Sequence, residues 1–212
     1  MPLSFMNRGI FKHHMDHKLT NDTLVVSIMA SPRMGGNTAS LLDEAERGAR
    51  AAGANVERIN ISDLKVHPCV ACMKCRKSGE CMLPRDDAHR VAELLRQANS
   101  VIVAMPVYWA SMPGTLKVLL DRLVYLFIDT SAAGVLPKPL MRGRKLGVIC
   151  SCTTPWPLSI TQTRPAVKAL RRVFRSGGFT VYPPLCLSGT RDMKVLKQSA
   201  VRAAARLGDM MV

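Results

Sequence analysis

The chain has 212 residues, 48% of them apolar, and a formal net charge of +15. That length suits one domain with a substantial core, and no apolar run reaches the roughly 18 residues of a transmembrane helix. The charge could attract nucleic acid, but aromatics make up only 5% of the chain and no nucleic-acid motif accompanies them, so neither a nucleic-acid nor a membrane partner is expected.

Residues 1–23 carry no continuous apolar segment of a secretory signal. They read as a poorly ordered extension, with His13, His14 and His17 as weak metal candidates. Residues 24–30 (LVVSIMA) form an apolar run suited to a buried parallel strand. Residues 38–52 place Leu41, Leu42, Ala45, Ala49 and Ala52 near one helical face, and Gly53 stops the helix. A second strand spans 56–61. A loop opened by Pro68 follows, then a helix over 87–98 capped by Asp86 or Asp87.

Residues 100–105 form a third strand, ended by Pro106, and 115–127 a helix. A fourth strand spans 145–152. A basic helix over 165–175 has Pro165 in its first turn. Residues 179–187 give a fifth strand, interrupted by Pro183-Pro184, and 194–207 the last helix. Five strands alternating with helices imply an α/β fold with a parallel sheet covered on both faces. Ligands of such sheets bind at the carboxyl ends of the strands, which here means loops 31–38, 106–114 and 151–157.

The loop after the first strand reads Ser31-Pro32-Arg33-Met34-Gly35-Gly36-Asn37-Thr38. Gly35 and Gly36 allow close backbone approach. Ser31, Asn37 and Thr38 offer hydrogen bonds, Arg33 offers charge, and the next helix presents free N–H groups to an anion. The loop is neither a Walker A loop nor a GxGxxG turn, yet it suits a phosphate. Pro106-Val107-Tyr108-Trp109 follows the third strand, where two aromatics can flank a flat ring or simply fill core.

Cys69, Cys72, Cys75 and Cys81 follow a C-x2-C-x2-C-x5-C pattern. Thiolates at this density suit a [4Fe-4S] cluster or a tetrahedral zinc, or remain metal-free. Lys74, Arg76 and Lys77 beside them would compensate an anionic cluster and lower thiol pKa values. Cys150, Cys152 and Cys186 lie in apolar, strand-like surroundings and read as small core residues. Seven cysteines in a chain of this size, without an export signal, fit a reducing cytoplasm better than a disulfide framework. The charge is uneven: residues 1–129 hold 16 basic and 13 acidic side chains, residues 130–212 hold 14 and 2.

Three segments, SPRMGGNTASLL at 31–42, PCVACMKCRKSGEC at 68–81 and PVYWASMPGTLKVLLDRL at 106–123, resemble those of the flavodoxin-like NAD(P)H-dependent FMN reductases, and among them the iron–sulfur flavoproteins. The resemblance runs from about residue 24 to the C-terminus and is weakest after 130. It implies a five-stranded doubly wound sheet of order 2-1-3-4-5 binding FMN, with NAD(P)H as donor.

It would place the FMN phosphate on Ser31, Arg33, Gly36, Asn37 and Thr38, and the isoalloxazine against Pro106, Val107, Tyr108 and Trp109. The loop around Thr153 would close the ring's third side. It also implies a small electrophilic acceptor such as a quinone or flavin, or, with a cluster on the four cysteines, exchange with a ferredoxin-like partner. Homodimers or homotetramers are expected, and the stripe Leu116, Leu119, Leu120, Leu123 and Phe127 could serve pairing or core.

Overall fold

The computed structural model describes residues 23–129 and 137–212. The extension expected over 1–23, with its three histidines, lies outside them except for Thr23. Four strands, β1 (Leu24–Met29), β2 (Asn55–Asn60), β3 (Ser100–Pro106) and β4 (Lys145–Ser151), pair in parallel in the order β2-β1-β3-β4. The fifth position is shared by β5 (Thr180–Val181) and β6 (Leu185–Leu187), each parallel to β4. Pro183-Pro184 separates the two because proline has no N–H to give the ladder. This is the expected 2-1-3-4-5 order of a flavodoxin-like sheet.

The strands are apolar because both faces are covered. In β1, Val25, Val26, Ile28 and Met29 are all fully buried. Helices α1 (Asn37–Ala51) and α7 (Gln198–Asp209) cover one face. The other face carries α3 (Asp87–Gln97), α4 (Gly114–Arg122), α5 (Val124–Phe127) and α6 (Ser159–Ser176). A single turn, α2 (Cys75–Ser78), lies within the cysteine loop. The stripe Leu116, Leu119, Leu120, Leu123 and Phe127 is buried in the core of this face.

Helices α1 and α7 cross with their backbones almost touching. A Cβ on Gly208 would stand 1.7 Å from the Ala45 carbonyl oxygen, and one on Gly48 would stand 2.0 Å from that of Ala205. Beneath α1, the buried Glu46 accepts from Ser27 Oγ and from Arg58 Nε, each at 2.6 Å. Its charge is thereby paired, as a buried carboxylate requires.

Three expectations are corrected. Pro165 lies inside α6 and not in its first turn. The helix begins at Ser159 because Ser159 and Thr163 are buried and Ser188 Oγ donates to Ser159 Oγ at 2.7 Å. The single helix expected over 115–127 breaks at Leu123 (φ −95°, ψ 10°), whose N–H is shared between the carbonyls of Leu119 and Leu120. Finally, Cys150 and Cys152 are buried but Cys186 is exposed. Its neighbour Leu187 packs into the α1/α7 layer, so Cys186 faces the other way, at an uncovered sheet edge. Among the described residues no helix is long and apolar enough to cross a membrane.

Candidate functional site

The carboxyl end of the sheet gathers the expected loops. Ser31 is buried just after β1, and its Oγ accepts the Arg33 N–H at 3.2 Å. Arg33 itself is exposed. Gly36 is the extended N-cap of α1 and offers no capping side chain; the first turn also holds no acidic residue. The leading N–H groups of this long helix therefore keep their partial positive charge for an incoming anion.

Neither Gly35 nor Gly36 is required by the protein's own packing. A Cβ at Gly35 would meet nothing within 4 Å, and one at Gly36 only Arg33, at 3.4 Å. Thr38 is buried, its hydroxyl 2.6 Å from Ser151 Oγ at the end of β4. Ser151 also accepts the Val107 N–H through its carbonyl, at 2.8 Å. One residue thus ties the first, second and third loops together.

After Pro106, Tyr108 and Ser111 exchange backbone hydrogen bonds of 3.0 and 2.9 Å. Trp109 and Ala110 between them have φ of 50° and 56°, the geometry of a type I′ turn. This region costs a non-glycine residue roughly 1–2 kcal/mol. Trp109 is 99% exposed, so no packing within the chain compensates, and Tyr108 is 44% exposed. Thr153 is exposed on the third loop.

A fourth loop after β6, 188–192, joins the rim and was not anticipated. Gly189 N–H donates to Thr154 O at 2.9 Å, Thr190 N–H to Cys152 O at 3.1 Å, and Asn37 Nδ2 to Thr190 O at 3.5 Å. Its small polar residues at the end of the fifth strand were the available signal.

The cysteine loop lies elsewhere. It is closed at its base by segments 65–67 and 86–87. Lys65 N–H donates to Asp87 Oδ2 (2.8 Å) and His67 N–H to Asp86 Oδ2 (3.1 Å). The fully buried Arg122 of α4 donates to both ends, to His67 O (2.8 Å) and to Asp86 Oδ2 (2.6 Å) and Oδ1 (3.1 Å).

Asp86 is also the N-cap of α3, accepting from Ala88 N–H, while its own N–H donates to His89 Nδ1. That leaves Nε2 of His89 to donate to Cys81 O at 3.1 Å. Burial pushes the Asp86 carboxyl up, but Arg122 and the backbone N–H groups outweigh it and hold it below the usual carboxylate range.

All four loop cysteines line one cavity of about 1140 Å³, with Leu126 and Phe127 among its apolar walls. Arg96, Arg144 and Ser176 also line it; they lie just before β3, β4 and β5, at the amino ends of the strands. No residue of loops 31–38, 106–114 or 151–157 does. The two sites therefore face different ends of the sheet.

Ala71 and Met73, on either side of Cys72, have φ of 51° and 57°, and such strained residues cluster at functional sites. Burial first, then Cys81, Cys72 and Cys69, push the Cys75 thiol up. Among the described residues no three His, Cys, Asp or Glu side chains converge on one metal ion.

Residues 23–189 match the model of the NADPH-dependent FMN reductase family. The chain belongs to this family. It is 35% identical over 99 residues to an iron-sulfur flavoprotein of Archaeoglobus fulgidus, covering 47% of this chain and 44% of that protein. It is 37% identical over 102 residues to one of Methanosarcina thermophila, covering 48% and 53%. The chain spans about half the length of the curated relatives it matches. An NAD(P)H:quinone oxidoreductase structure from Methanothermobacter marburgensis superposes with a TM-score of 0.68 at 18% identity, over 89% of this chain and 98% of the other. At that identity the likeness speaks for the fold.

In this FMN reductase family member, the ten residues singled out for a cofactor lie on the carboxyl-end loops and strand termini. Ser31, Gly36, Asn37, Thr38 and Val107 are joined to the rim by backbone geometry and hydrogen bonds. Arg33, Tyr108, Trp109 and Thr153 are presented outward, and Pro106 closes β3.

Proposed function

We propose that the protein is an FMN-dependent NAD(P)H oxidoreductase that reduces a quinone, a flavin or another small electrophile. The observation that carries this is the start of α1: uncapped N–H groups and two glycines that the protein's own packing does not demand. Buried Thr38 and Ser31 stand beside them. This arrangement fits a phosphomonoester, with Asn37 and Arg33 as further donors.

Pro106, Val107, Tyr108 and Trp109 would hold one side of the isoalloxazine and the loop at Thr153 another. Bound FMN would supply the redox chemistry, taking a hydride from NAD(P)H and delivering reducing equivalents to the acceptor. The chain's part is to bind and orient: Ser151 fixes the spacing of the phosphate and ring loops through Thr38 and Val107. The basic residues of 130–212 would favour the more highly phosphorylated donor, NADPH.

A second reading is favoured by the cysteine loop. Four thiols line one cavity, where burial and its three neighbours push the Cys75 thiol up, and such a donor set suits a soft metal. A [4Fe-4S] cluster takes four cysteines, the number this loop offers. Cys69, Cys72, Cys75 and Cys81 would hold the cluster, which would pass single electrons to or from a ferredoxin-like protein. Because the two sites face different ends of one sheet, transfer between them would run across a homodimer or homotetramer contact.

Anaerobic purification, an absorption spectrum, iron and sulfide assays and NADPH- or NADH-driven quinone reduction test both readings. Flavin bands with turnover support the first, and about four irons per chain support the second. A colourless protein that refuses added FMN refutes both.

A further inference from the structure

We propose that Cys186 and Cys150 form a peroxide-reactive dithiol, with Cys186 the thiolate that attacks peroxide and Cys150 the resolving thiol. Neither belongs to the four-cysteine loop, and the inference stands whether or not FMN binds. Strands β4 and β6 run parallel with Cys150 and Cys186 as register partners. Partners on neighbouring strands project to the same face, about 4.8 Å apart at the backbone. That separation lies inside the roughly 4.4–6.8 Å Cα span of a disulfide. The two Sγ atoms already stand 2.8 Å apart, so joining them asks for no backbone movement.

The pair is asymmetric. Cys150 is fully buried and Cys186 exposed, so a dissolved oxidant meets Cys186 first. The Cys150 S–H donates to Cys186 Sγ. That hydrogen bond outweighs burial and holds the Cys186 thiol below its ordinary range. The same bond, then burial, pushes Cys150 up. The thiolate is the reactive form, so protonation and exposure both select Cys186. Cys152, the third cysteine nearby, is buried past the end of β4 and is no strand partner of Cys186.

The chemistry balances with hydrogen peroxide as the only oxidant. The Cys186 thiolate attacks one peroxide oxygen, the O–O bond breaks, and the departing hydroxide takes up a proton to become water. Cys186 is left as a sulfenic acid. Cys150 then attacks that sulfur; its proton and the hydroxyl leave together as a second water, and the S–S bond forms. Two thiols have lost two electrons and one peroxide has become two waters. The product would staple β6, a three-residue edge strand, to β4. It would do so one residue before Ser151, which ties the first three rim loops.

The full-length reduced protein is treated with one equivalent of hydrogen peroxide, alkylated and digested with trypsin. Because the Arg164-Pro165 bond resists cleavage, Cys150 and Cys152 fall in peptide 146–168 and Cys186 in peptide 176–191. The expected product is a cross-link between these peptides, two hydrogens lighter than their sum. It should persist in Cys152→Ser and vanish in Cys186→Ser and Cys150→Ser. In Cys150→Ser, dimedone should trap a sulfenic acid at Cys186. Before oxidation, Cys186 should alkylate at least tenfold faster than Cys150. The wild type, Cys152→Ser and the surface change Cys186→Ser decide the matter even if Cys150→Ser folds poorly. A cross-link lost in Cys152→Ser overturns the proposal. So does an unmodified Cys186 after the loop cysteines have consumed the peroxide.

Discussion

Gly208→Ala should weaken the fold by about 2 kcal/mol, against the sign that helix propensity gives. The new methyl would stand 1.7 Å from Ala45 O, 2.7 Å from Ala45 C and 2.9 Å from Ala49 N. An ordinary C···O contact is about 3.4 Å, so α7 must retreat from α1 by more than an ångström. All three atoms are backbone, and no rotamer change relieves them. Overpacking costs roughly 1–3 kcal/mol, and a backbone-on-backbone clash belongs at the upper end. Replacing a helical glycine returns at most about 1 kcal/mol. At roughly 2–4 °C per kcal/mol for a chain of this size, the thermal midpoint should fall by about 4–8 °C, with a matching drop in the urea midpoint. Gly35→Ala, which meets open space, is the control and should change stability by less than about 0.5 kcal/mol. A Gly208→Ala protein as stable as the parent would refute the crossing geometry.

Three further perturbations probe the sites. Gly36→Val should cost at most about 1 kcal/mol of stability through the lost N-cap glycine while weakening FMN binding by about tenfold or more, some 1.4 kcal/mol; unchanged quenching of FMN fluorescence would count against a phosphate site at this loop. Asp86→Asn keeps a capping side chain but removes the charge facing buried Arg122, and should cost about 3–5 kcal/mol at pH 7. Since the native carboxyl titrates below its unfolded value of about 3.9, that contribution is full above about pH 4 and lost as pH falls through the lowered native value. The gap between variant and parent in urea melts should therefore close in acid, and a constant gap from pH 7 to pH 3 contradicts the ion pair. Trp109→Asn with Ala110→Gly relieves two positive φ angles and should stabilise by about 1 kcal/mol or more while slowing turnover; a loss of stability would mean that Trp109 is packed.

The sheet was legible because strands buried on both faces must be apolar runs, and β1, β3 and β4 are such runs bounded by polar or proline residues. The strand–loop–helix start at 24–51 was legible because an apolar run, then glycine, hydroxyl and amide side chains, then an amphipathic pattern mark its three parts. The position of the cysteine cavity was not. Spacing records which thiols are close in the chain, whereas the loop's base is closed by Arg122 and Asp86, 36 residues apart, and its cavity by residues as distant as Arg144 and Ser176. The outward side chain of Trp109 was equally hidden, because an aromatic after a strand reads alike whether it stacks or projects. Cys186 looked like core since its neighbours are apolar; only strand order shows that β6 is an edge. Pro165 marked a helix start by rule, and the burial of Ser159 and Thr163 overrode it.

The clasp at the base of the cysteine loop has a further consequence. His67 and Asp86 are held together by each other and by Arg122, so the chain leaves and re-enters the domain at one point. The stretch between them adds no strand to the sheet and rests on the core through Cys75 and Cys81, and lengthening such a loop adds little entropic cost. Changes at its exposed positions, such as Val70 and Met82, should leave the sheet and its rim folded as before. The chain is in this sense a socket with an interchangeable plug: the rim at the carboxyl end of the sheet stays fixed while the clasped loop can change.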